Sequence, residues 1–530
     1  MSAAPVPAPA PGAGTGGVPP AAPALPGPGI AAPGPGPDTA GTACTTAGLR
    51  FTGIATTVGD GARATVERVP DAEALVDLAT GQRLTYLRLW DSASRVAGGL
   101  AAVGVDPGDR VAVRLPNGAP WCVAVLGAIL AGAVPVPVNT RLTPAEVAHI
   151  VTDSAATLVV DDPAALPDGP PTVRLADDPE ALAALFYTSG TTGVPKGAML
   201  SHRALLSAAE QCRRALHLGP TEATRTLIAA PLFHVLASGM QWLPALLAGG
   251  TVVIATHFET GAWLRAIRDE RIDVLNGVPA MYWQALRHPD FPRTDVSHVR
   301  LVSYGAAPTP PSQVAELLAA FPAARFGPGY GLTEAACVSG LDHDDVLAHA
   351  DTVGSAVAAT ELRLDGPEAA AGVGQLLVRG PQLMSGYWRR PEATTETLDN
   401  GWLRTGDLAR IDDAGRIHLL DRIKDMINRG GENVYSIEVE RVLAAFGGVG
   451  EVAVVGVPDP RLGQRVAAAI VPRPDAAVDV DALLTHAAGR LADFKIPQYV
   501  AILTEPLPRN AAGKVDKARL RTDTAWGPRR

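Results

Sequence analysis

A glycine- and hydroxyl-rich segment from Tyr187 to Gly197 is the strongest chemical signal in the sequence. It reads Y-T-S-G-T-T-G-V-P-K-G, and it is not the G-x-x-x-x-G-K-[ST] loop of common nucleotidases, because its lysine is followed by Gly197 rather than by serine or threonine. Glycines permit tight turns in which successive backbone N–H groups face an anion. Hydroxyls add further donors, and the lysine adds a positive charge. This composition predicts a polyphosphate-binding loop formed by Thr188, Ser189, Gly190, Thr191, Thr192, Gly193 and Lys196.

Four further motifs follow this loop, and each contains residues able to bind a nucleotide or a carboxylate. They read G-P-G-Y-G-L-T-E, G-W-L-R-T-G-D-L, D-R-I-K-D-M-I-N-R-G-G-E-N-V-Y and P-R-N-A-A-G-K-V. In this order, the motifs resemble the signatures of the adenylate-forming enzymes, the superfamily of acyl-CoA synthetases, adenylation domains and firefly luciferase. They are most similar to those of bacterial fatty-acyl-CoA synthetases, and the resemblance extends from about Arg83 to Leu520.

The resemblance implies that ATP and Mg²⁺ bind among these motifs. Glu334 corresponds to the magnesium ligand of the family, and a hard cation prefers carboxylate oxygen. Thr188 is expected to contact the same ion. For adenine, the resemblance implies stacking on Tyr330, next to Gly331, with an opposite wall at Gly305, Ala306 and Ala307. For the rest of the nucleotide, it implies that Thr333 contacts the α-phosphate, that Asp407 accepts from the ribose hydroxyls, and that Arg422 contacts ribose and phosphate.

Lys514 corresponds to the family lysine that holds the substrate carboxylate against the α-phosphate of ATP. Its ammonium offsets the charge that develops when one anion attacks another. The resemblance implies a hinge near Lys424 and two half-reactions. An acyl-adenylate and pyrophosphate form first; the small domain then rotates, withdraws Lys514 and brings Gly431 to the acyl site, where a thiol displaces AMP.

His234, in P-L-F-H-V, matches the family position that lines the acyl pocket and the path of the acceptor. The run F-H-V-L-A-S lacks the aspartate that binds an amino-acid ammonium, which disfavours α-amino acids. Gly331 stands where acetyl-CoA synthetases have a tryptophan, so a longer acid is expected to fit. We expect a medium- or long-chain fatty acid, with an aryl carboxylate as the alternative. Residues that fit either a pocket lining or plain core are Met240, Trp242, Met281 and Tyr282.

CoA is the expected acceptor, because G-G-E-N-V-Y resembles the corresponding run of bacterial acyl-CoA synthetases. The alternatives are a carrier-protein thiol or an amine and, more remotely, a non-catalytic relative that only binds nucleotide. Asn428 and Gly430 replace the lysines that contact adenylate and CoA in plant enzymes. Ser436 stands where many relatives have proline, and we expect this difference to loosen the loop without changing the chemistry.

The elements around these motifs predict an α/β fold. Short β-branched runs such as A-T-L-V-V and T-V-V-I-A alternate with helical patterns, which is typical of mainly parallel sheets flanked by helices. Beyond Asp421 the segments shorten and suggest a small mobile α+β domain. The predicted organisation is a disordered Ala/Pro/Gly-rich tail at residues 1–48, an AMP-binding domain at 49–421 and a C-terminal lid at 422–530.

Composition excludes several classes of protein. The net charge of −9 argues against nucleic acid as the main partner, because binding phosphates requires a basic surface. The four cysteines form no C-x-x-C pair, so we expect a reduced cytoplasmic protein without a disulfide framework. The uncharged stretch from Ala119 to Val138 has Pro135 and Pro137 in its second half, which favours a buried helix and strand over a membrane span. The oligomeric state stays open between monomer and homodimer.

Overall fold

The computed structural model describes residues 42–45, 48–188, 195–307, 309–474, 476–510 and 514–528. Residues 189–194 of the predicted phosphate loop, with Ser189, Gly190, Thr191, Thr192 and Gly193, therefore lie outside the described residues, as do residues 1–41 of the predicted tail. A hairpin of two strands occupies the last part of the segment assigned to the tail. The described chain thus begins before the predicted boundary at residue 49.

The first part of the chain alternates strands with helices. Its elements are β1 (Thr42–Thr45), β2 (Gly48–Phe51), α1 (Val58–Arg68), β3 (Glu73–Asp77), β4 (Arg83–Thr85), α2 (Tyr86–Ala102), β5 (Arg110–Val113), α3 (Ala119–Leu130), β6 (Val134–Pro137), α4 (Pro144–Ser154) and β7 (Ala156–Val160). The helix and strand predicted for the uncharged stretch are confirmed as α3 and β6. Within the described residues, no helix is long and apolar enough to cross a membrane.

The middle part continues the alternation. Its elements are β8 (Leu182–Thr188), β9 (Lys196–Ser201), α5 (His202–Ala215), β10 (Arg225–Ile228), α6 (Val235–Ala237), a π-helical segment (Ser238–Trp242), α7 (Leu243–Ala248), β11 (Thr251–Ile254), α8 (Thr260–Asp269), β12 (Val274–Gly277), α9 (Pro279–Arg287), a 3₁₀ turn (Phe291–Arg293), β13 (Leu301–Tyr304), α10 (Pro311–Ala320) and β14 (Arg325–Phe326).

A region of mostly short strands follows. Its elements are β15 (Gly329–Leu332), β16 (Ala336–Gly340), a 3₁₀ turn (His343–Asp345), β17 (Ser355–Ala356), β18 (Glu361–Asp365), a 3₁₀ turn (Ala369–Ala371), β19 (Val373–Arg379), β20 (Gly386–Tyr387), α11 (Pro391–Thr397), β21 (Leu398–Asp399), β22 (Trp402–Ile411) and β23 (Ile417–Arg422).

The C-terminal part forms its own sheet and cores. Its elements are β24 (Ile427–Arg429), β25 (Glu432–Val434), α12 (Ser436–Ala444), β26 (Val449–Asp459), β27 (Gly463–Pro472), α13 (Val480–Ala488), a 3₁₀ turn (Asp493–Lys495), β28 (Tyr499–Ile502) and α14 (Lys517–Asp523). The sheet order is β25-β24-β27-β26, with β28 parallel to β27. Two buried clusters fill this part, one of which includes Val439, Leu443 and Ile470.

A seven-stranded sheet with the order β14-β13-β12-β10-β11-β3-β4 dominates the larger part. Its pairs are parallel except β3 with β4, and β6-β5-β7 form a second parallel sheet. The remaining sheets, β20-β9-β8, β15-β16-β17 and β18-β19-β22-β21 with β23 on β22, are antiparallel. The predicted α/β architecture with a smaller α+β domain is confirmed.

A buried asparagine connects this core to the predicted acyl site. Asn117 donates a hydrogen bond to the carbonyl of Ala230 (2.9 Å) and accepts one from the N–H of Leu232 (2.8 Å). Two residues after Asn117, the backbone N–H of Ala119 at the start of α3 donates to the carboxylate of Asp77 (2.9 Å), which caps this helix. These contacts fix the loop that leads from β10 to His234 against the largest hydrophobic cluster of the molecule.

Candidate active site

Lys196 and Glu334 are linked through Tyr387. Strand β20 pairs with β9, which places the ring of Tyr387 5.4 Å from the ammonium of Lys196. The Tyr387 hydroxyl donates to Glu334 Oε1 at 2.8 Å. Burial, reinforced by Glu334, raises the pKa of Tyr387, so its hydroxyl stays protonated and acts as a donor. The β8–β9 hairpin therefore presents Thr188 and Lys196 beside the Glu334 turn.

Tyr330, Asp407 and Arg422 form a second linked group. The Tyr330 hydroxyl donates to Asp407 Oδ2 (2.5 Å), and Arg422 Nε lies 3.1 Å from Asp407 Oδ1. The register of β22 with β23 places Asp407 directly opposite Arg422. Asp407 is 5% exposed, and its N–H donates to the hydroxyl of Thr405. Burial raises the pKa of Tyr330, and Asp407 adds to the effect.

Close backbone approaches shape the expected adenine slot. Gly305 bridges Gly329 in parallel, and a Cβ at Gly305 would come within 2.6 Å of the Gly329 carbonyl oxygen. The exposed Ala306 has φ of 67°, a left-handed conformation that is strained for a non-glycine residue. A Cβ at Gly331 would lie 1.7 Å from the Ala336 carbonyl oxygen. Backbone packing therefore requires glycine at 331 independently of any room it leaves for an acid.

His234 lies at the start of α6 with its ring against Phe233, at a centroid distance of 4.6 Å. Burial, together with the nearby cations Lys514 and Arg141, lowers the pKa of His234 to about 4. The imidazole is therefore neutral near pH 7 and can accept or donate a hydrogen bond without adding charge to the site.

Lys514 reaches this region from the C-terminal part. Its N–H donates to Asn510 Oδ1 (3.1 Å), and its carbonyl accepts from the Asn510 N–H (2.9 Å), which holds the short loop before α14. The residue keeps exposed surface, yet withdrawal of its ammonium from bulk water lowers its pKa, as does Arg422. Asp407 and Glu334 act in the opposite direction. The ammonium thus lies within electrostatic range of both acidic residues and of His234.

The structure brings most described candidates together, with Lys424 within electrostatic range of Lys514, but leaves Gly431 outside this cluster. Gly431 and Gly430 form the tight turn between β24 and β25, both with positive φ, and Gly431 N–H donates to Asn428 Oδ1 (3.0 Å). Lys424 lies in an exposed turn after β23, where the N–H groups of residues 425 and 426 donate to the Arg422 carbonyl. Three residues offered as pocket or core are buried in core clusters: Trp242, Met281 and Tyr282.

Sequence reasoning missed Tyr387, Asn117, Thr405 and Arg141. Tyr387 follows β9 by almost two hundred residues, and only the pairing of β20 with β9 brings it to Glu334. Thr405 lies in the same G-W-L-R-T-G-D-L motif as Asp407, so its proximity to that aspartate was available from spacing. The other two are connected to the site only through the tertiary fold.

The donor set fits a magnesium ion that arrives with ATP. Mg²⁺ is usually held by one or two carboxylates together with substrate phosphates. Glu334 provides one half-buried carboxylate, and Thr188 lies across the hairpin from Lys196. In the described part of the chain, no group of three or more His, Cys, Asp or Glu side chains could hold a metal by itself. When bound, the ion would neutralise phosphate charge.

Two buried histidines give a testable pH dependence. The folded-state pKa of both His202 and His234 is about 4, against an ordinary value of 6.5. Between these values the unfolded chain binds more protons, so their contribution to stability is fully present above pH 6.5 and is lost as the pH falls towards 4. We expect a His202→Asn variant to show a smaller fall in melting temperature between pH 6.5 and 4.5, measured by scanning calorimetry. His217→Asn, at a half-exposed ring, is the control, and parallel curves for wild type and His202→Asn would contradict the expectation.

Comparisons with known proteins agree with this geometry. The model of the AMP-binding enzyme family matches residues 62–173 and 163–388, and that of the AMP-binding enzyme C-terminal domain matches 438–514. A feruloyl-CoA synthase of an Amycolatopsis species is 40% identical, covering 83% of this chain and 94% of that protein. A long-chain-fatty-acid–CoA ligase of Mycobacterium tuberculosis is 36% identical, covering 87% and 96%.

A solved amide bond synthetase of Marinactinospora thermotolerans superposes with a TM-score of 0.79 at 31% identity, covering 88% of this chain and 99% of that one. The family models, the CoA-ligase relatives and the shared architecture support the same assignment. ATP, Mg²⁺ and CoA are accordingly its substrates and cofactor. The chain belongs to the AMP-binding enzyme family, within the adenylate-forming superfamily, and is an AMP-forming acyl-CoA synthetase.

Proposed function

We propose that Lys514 drives adenylate formation in this chain. The observation that supports the proposal is that its ammonium lies within electrostatic range of Glu334, Asp407 and His234, which come from three other segments of the chain. Lys514 would hold the acid, Glu334 the magnesium ion and Asp407 the ribose, while neutral His234 borders the acyl group. Rotation about Lys424 would then present Gly431 for thioester formation. In this proposal, residues 49–421 form the AMP-binding domain and residues 422–530 form the mobile lid.

The acid we propose is apolar along most of its length. A medium- or long-chain fatty acid is one candidate, and the mycobacterial relative supports it. An aryl acid is the second, and the feruloyl-CoA synthase supports it. A small cavity between α5, α7 and strands β10 and β12 has a volume of about 30 Å³, enough for one or two water molecules. Its wall includes Met240, Gln241, Thr226 and Asn276.

Gln241 favours the aryl candidate. The residue is 4% exposed, and its Oε1 is buried without a hydrogen-bond partner among the described residues. A buried unpaired polar group costs about 1–3 kcal/mol, so a partner is expected from the ligand or from water. Gln241 follows His234 by seven residues, across α6 and the π-helical segment. We propose that the hydroxyl of a hydroxycinnamic acid, at the end opposite its carboxylate, pairs with this amide.

A Gln241→Leu substitution tests the class of acid. We expect kcat/KM for 4-hydroxycinnamate to fall by about 10- to 100-fold, because the amide no longer pairs with the hydroxyl. The values for cinnamate and decanoate should stay within about twofold or improve, since neither carries that hydroxyl. Initial rates of CoA-dependent AMP release measure all three acids. Equal losses for cinnamate and 4-hydroxycinnamate would contradict the aryl assignment, whereas decanoate as the best wild-type substrate would favour the fatty acid.

We also propose a cytoplasmic location. Cys122, Cys212 and Cys337 are free and buried, which suits a reducing compartment. For the acceptor, the GGENVY hairpin and the CoA-ligase relatives support CoA over a carrier-protein thiol or an amine. Product analysis with and without CoA tests this choice.

A further inference from the structure

A buried polar cluster joins the two domains at the hinge. We name Asp421, Ser436, Glu440 and Lys517 the junction cluster. Asp421 is 2% exposed; its carboxylate accepts from the backbone N–H of Ser436 and from the Ser436 hydroxyl (3.0 Å). Lys517 donates to the Ser436 hydroxyl (2.7 Å) and lies 2.7 Å from Glu440 Oε1. One chain of contacts thus runs from β23 through α12 to α14.

The junction cluster spans the expected pivot. Asp421 precedes Lys424 by three residues, whereas the other members follow it. Asp421 is adjacent to Arg422, which pairs with Asp407, and Lys517 follows Lys514 by three residues. The cluster therefore ties the strand that holds Arg422 to the segment that carries Lys514.

The contacts of the junction cluster stabilise only one orientation of the small domain relative to the large one. Burial raises the pKa of Asp421 to about 6, while Lys517 and the donors from Ser436 oppose this effect. Asp421 and Lys517 therefore depend on each other, because separating a buried charge from its partners is costly unless water replaces them. A rigid rotation about Lys424 would carry Ser436 and Lys517 away from Asp421.

Ser436 makes the cluster a property of this chain rather than of every relative. A proline at this position, as in many relatives, has neither an N–H nor a hydroxyl to offer Asp421. The sequence suggested that serine loosens this loop. The structure corrects this expectation, because Ser436 is fully buried and bonded through its N–H and its hydroxyl.

We propose that the junction cluster is a latch: it holds the domain orientation in which Lys514 faces the nucleotide site, and it must open before thioester formation. Asp421, Ser436 and Lys517 are positioning residues in this account, since they act through Lys514 and Arg422. The proposal rests on the two-step function proposed above. Opening the latch should therefore change the balance between the half-reactions rather than abolish both.

Ser436→Pro and Lys517→Met test the latch. Proline is tolerated at the first position of a helix, and Tyr435 already has the extended backbone that a following proline requires (φ −86°, ψ 116°). The matched control is Lys495→Met, which removes an ion pair to Glu438 on the same α12, within the small domain.

Each variant is assayed for adenylate formation by pyrophosphate exchange without CoA, and for thioester formation from supplied acyl-adenylate and CoA. We expect the ratio of adenylate to thioester rate to fall by about tenfold or more in both test variants and to stay within twofold of wild type in Lys495→Met. Lys517→Arg should recover most of the ratio. An unchanged ratio, or equal losses in both half-reactions, would overturn the latch.

Trypsin cleavage after Lys424, in the absence of substrates, provides a readout that does not depend on activity. The Lys424 side chain is already exposed, and an open latch frees the backbone of its turn to enter the protease, so we expect cleavage to be several-fold faster in Ser436→Pro and Lys517→Met than in wild type and Lys495→Met. Equal cleavage rates would overturn the latch even if the proposed acid is correct. A wild type that releases no pyrophosphate with any acid would instead refute the proposed function, and the cleavage rates would still judge the latch.

Discussion

Replacing Lys514 by alanine is expected to slow adenylate formation by about 10²- to 10³-fold, the usual loss when one charged or hydrogen-bonding group that stabilises a transition state is removed. The reason is that its ammonium lies within range of Glu334 and Asp407, where carboxylate and phosphate must approach each other. Thioester formation from supplied acyl-adenylate should be nearly unchanged. Pyrophosphate exchange and a CoA-dependent assay measure the two steps separately.

Lys495→Ala is the control for this prediction. Lys495 is another lysine of the small domain, and among the described carboxylates it pairs only with Glu438. It should leave both steps within about twofold of wild type. The melting temperature of Lys514→Ala should match that of wild type. In the described contacts, Lys514 forms hydrogen bonds only through its own backbone N–H and carbonyl, which alanine keeps. Equal loss in the two half-reactions would assign Lys514 a general structural role.

Asp407→Asn is expected to raise the KM for ATP by roughly 10- to 100-fold, in line with about 1.5–3 kcal/mol for hydrogen bonds to a charged group. The Asp407 carboxylate accepts from the Tyr330 hydroxyl and pairs with Arg422. An asparagine side chain carries no charge, and its NH₂ group would face either the Tyr330 hydroxyl or the Arg422 guanidinium, both of which are donors. The nucleotide site should widen as a result. Initial rates at varied ATP and saturating acid measure the change.

Asp365→Asn is a matched control on another strand of the same sheet, because Asp365 forms a half-exposed pair with Arg404. Such pairs contribute little, and the KM for ATP should not change. If Asp407→Asn lowers only kcat, Asp407 would act on the chemical step rather than on nucleotide binding.

The local features of this protein could be predicted from sequence, whereas several contacts between distant segments could not. The helix and strand of the stretch from Ala119 to Val138 follow from apolar run length and prolines. The phosphate-loop composition and the roles implied for Tyr330, Asp407 and Lys514 follow from short motifs. Each such signal lies within at most twenty consecutive residues.

Contacts that depend on sheet pairing left no such local signal. Tyr387 meets Glu334 only because β20 pairs with β9, and Asn117 fixes the loop before His234 across more than a hundred residues. Ser436 could be recognised as a departure from proline, but its effect depends on Asp421 and Lys517, which the fold brings to it. The sequence therefore predicted the chemistry better than the connections that orient it.

The most direct test of the central claim is a product analysis of the purified protein. It is incubated with ATP, Mg²⁺ and a panel of fatty, hydroxycinnamic, cinnamic and amino acids, with and without CoA, and products are identified by mass spectrometry. We expect an acyl-CoA, AMP and pyrophosphate with an apolar or aryl acid, and none of these with amino acids. Accumulated acyl-adenylate without a thioester in the presence of CoA would contradict the ligase account and indicate a carrier-protein or amine acceptor.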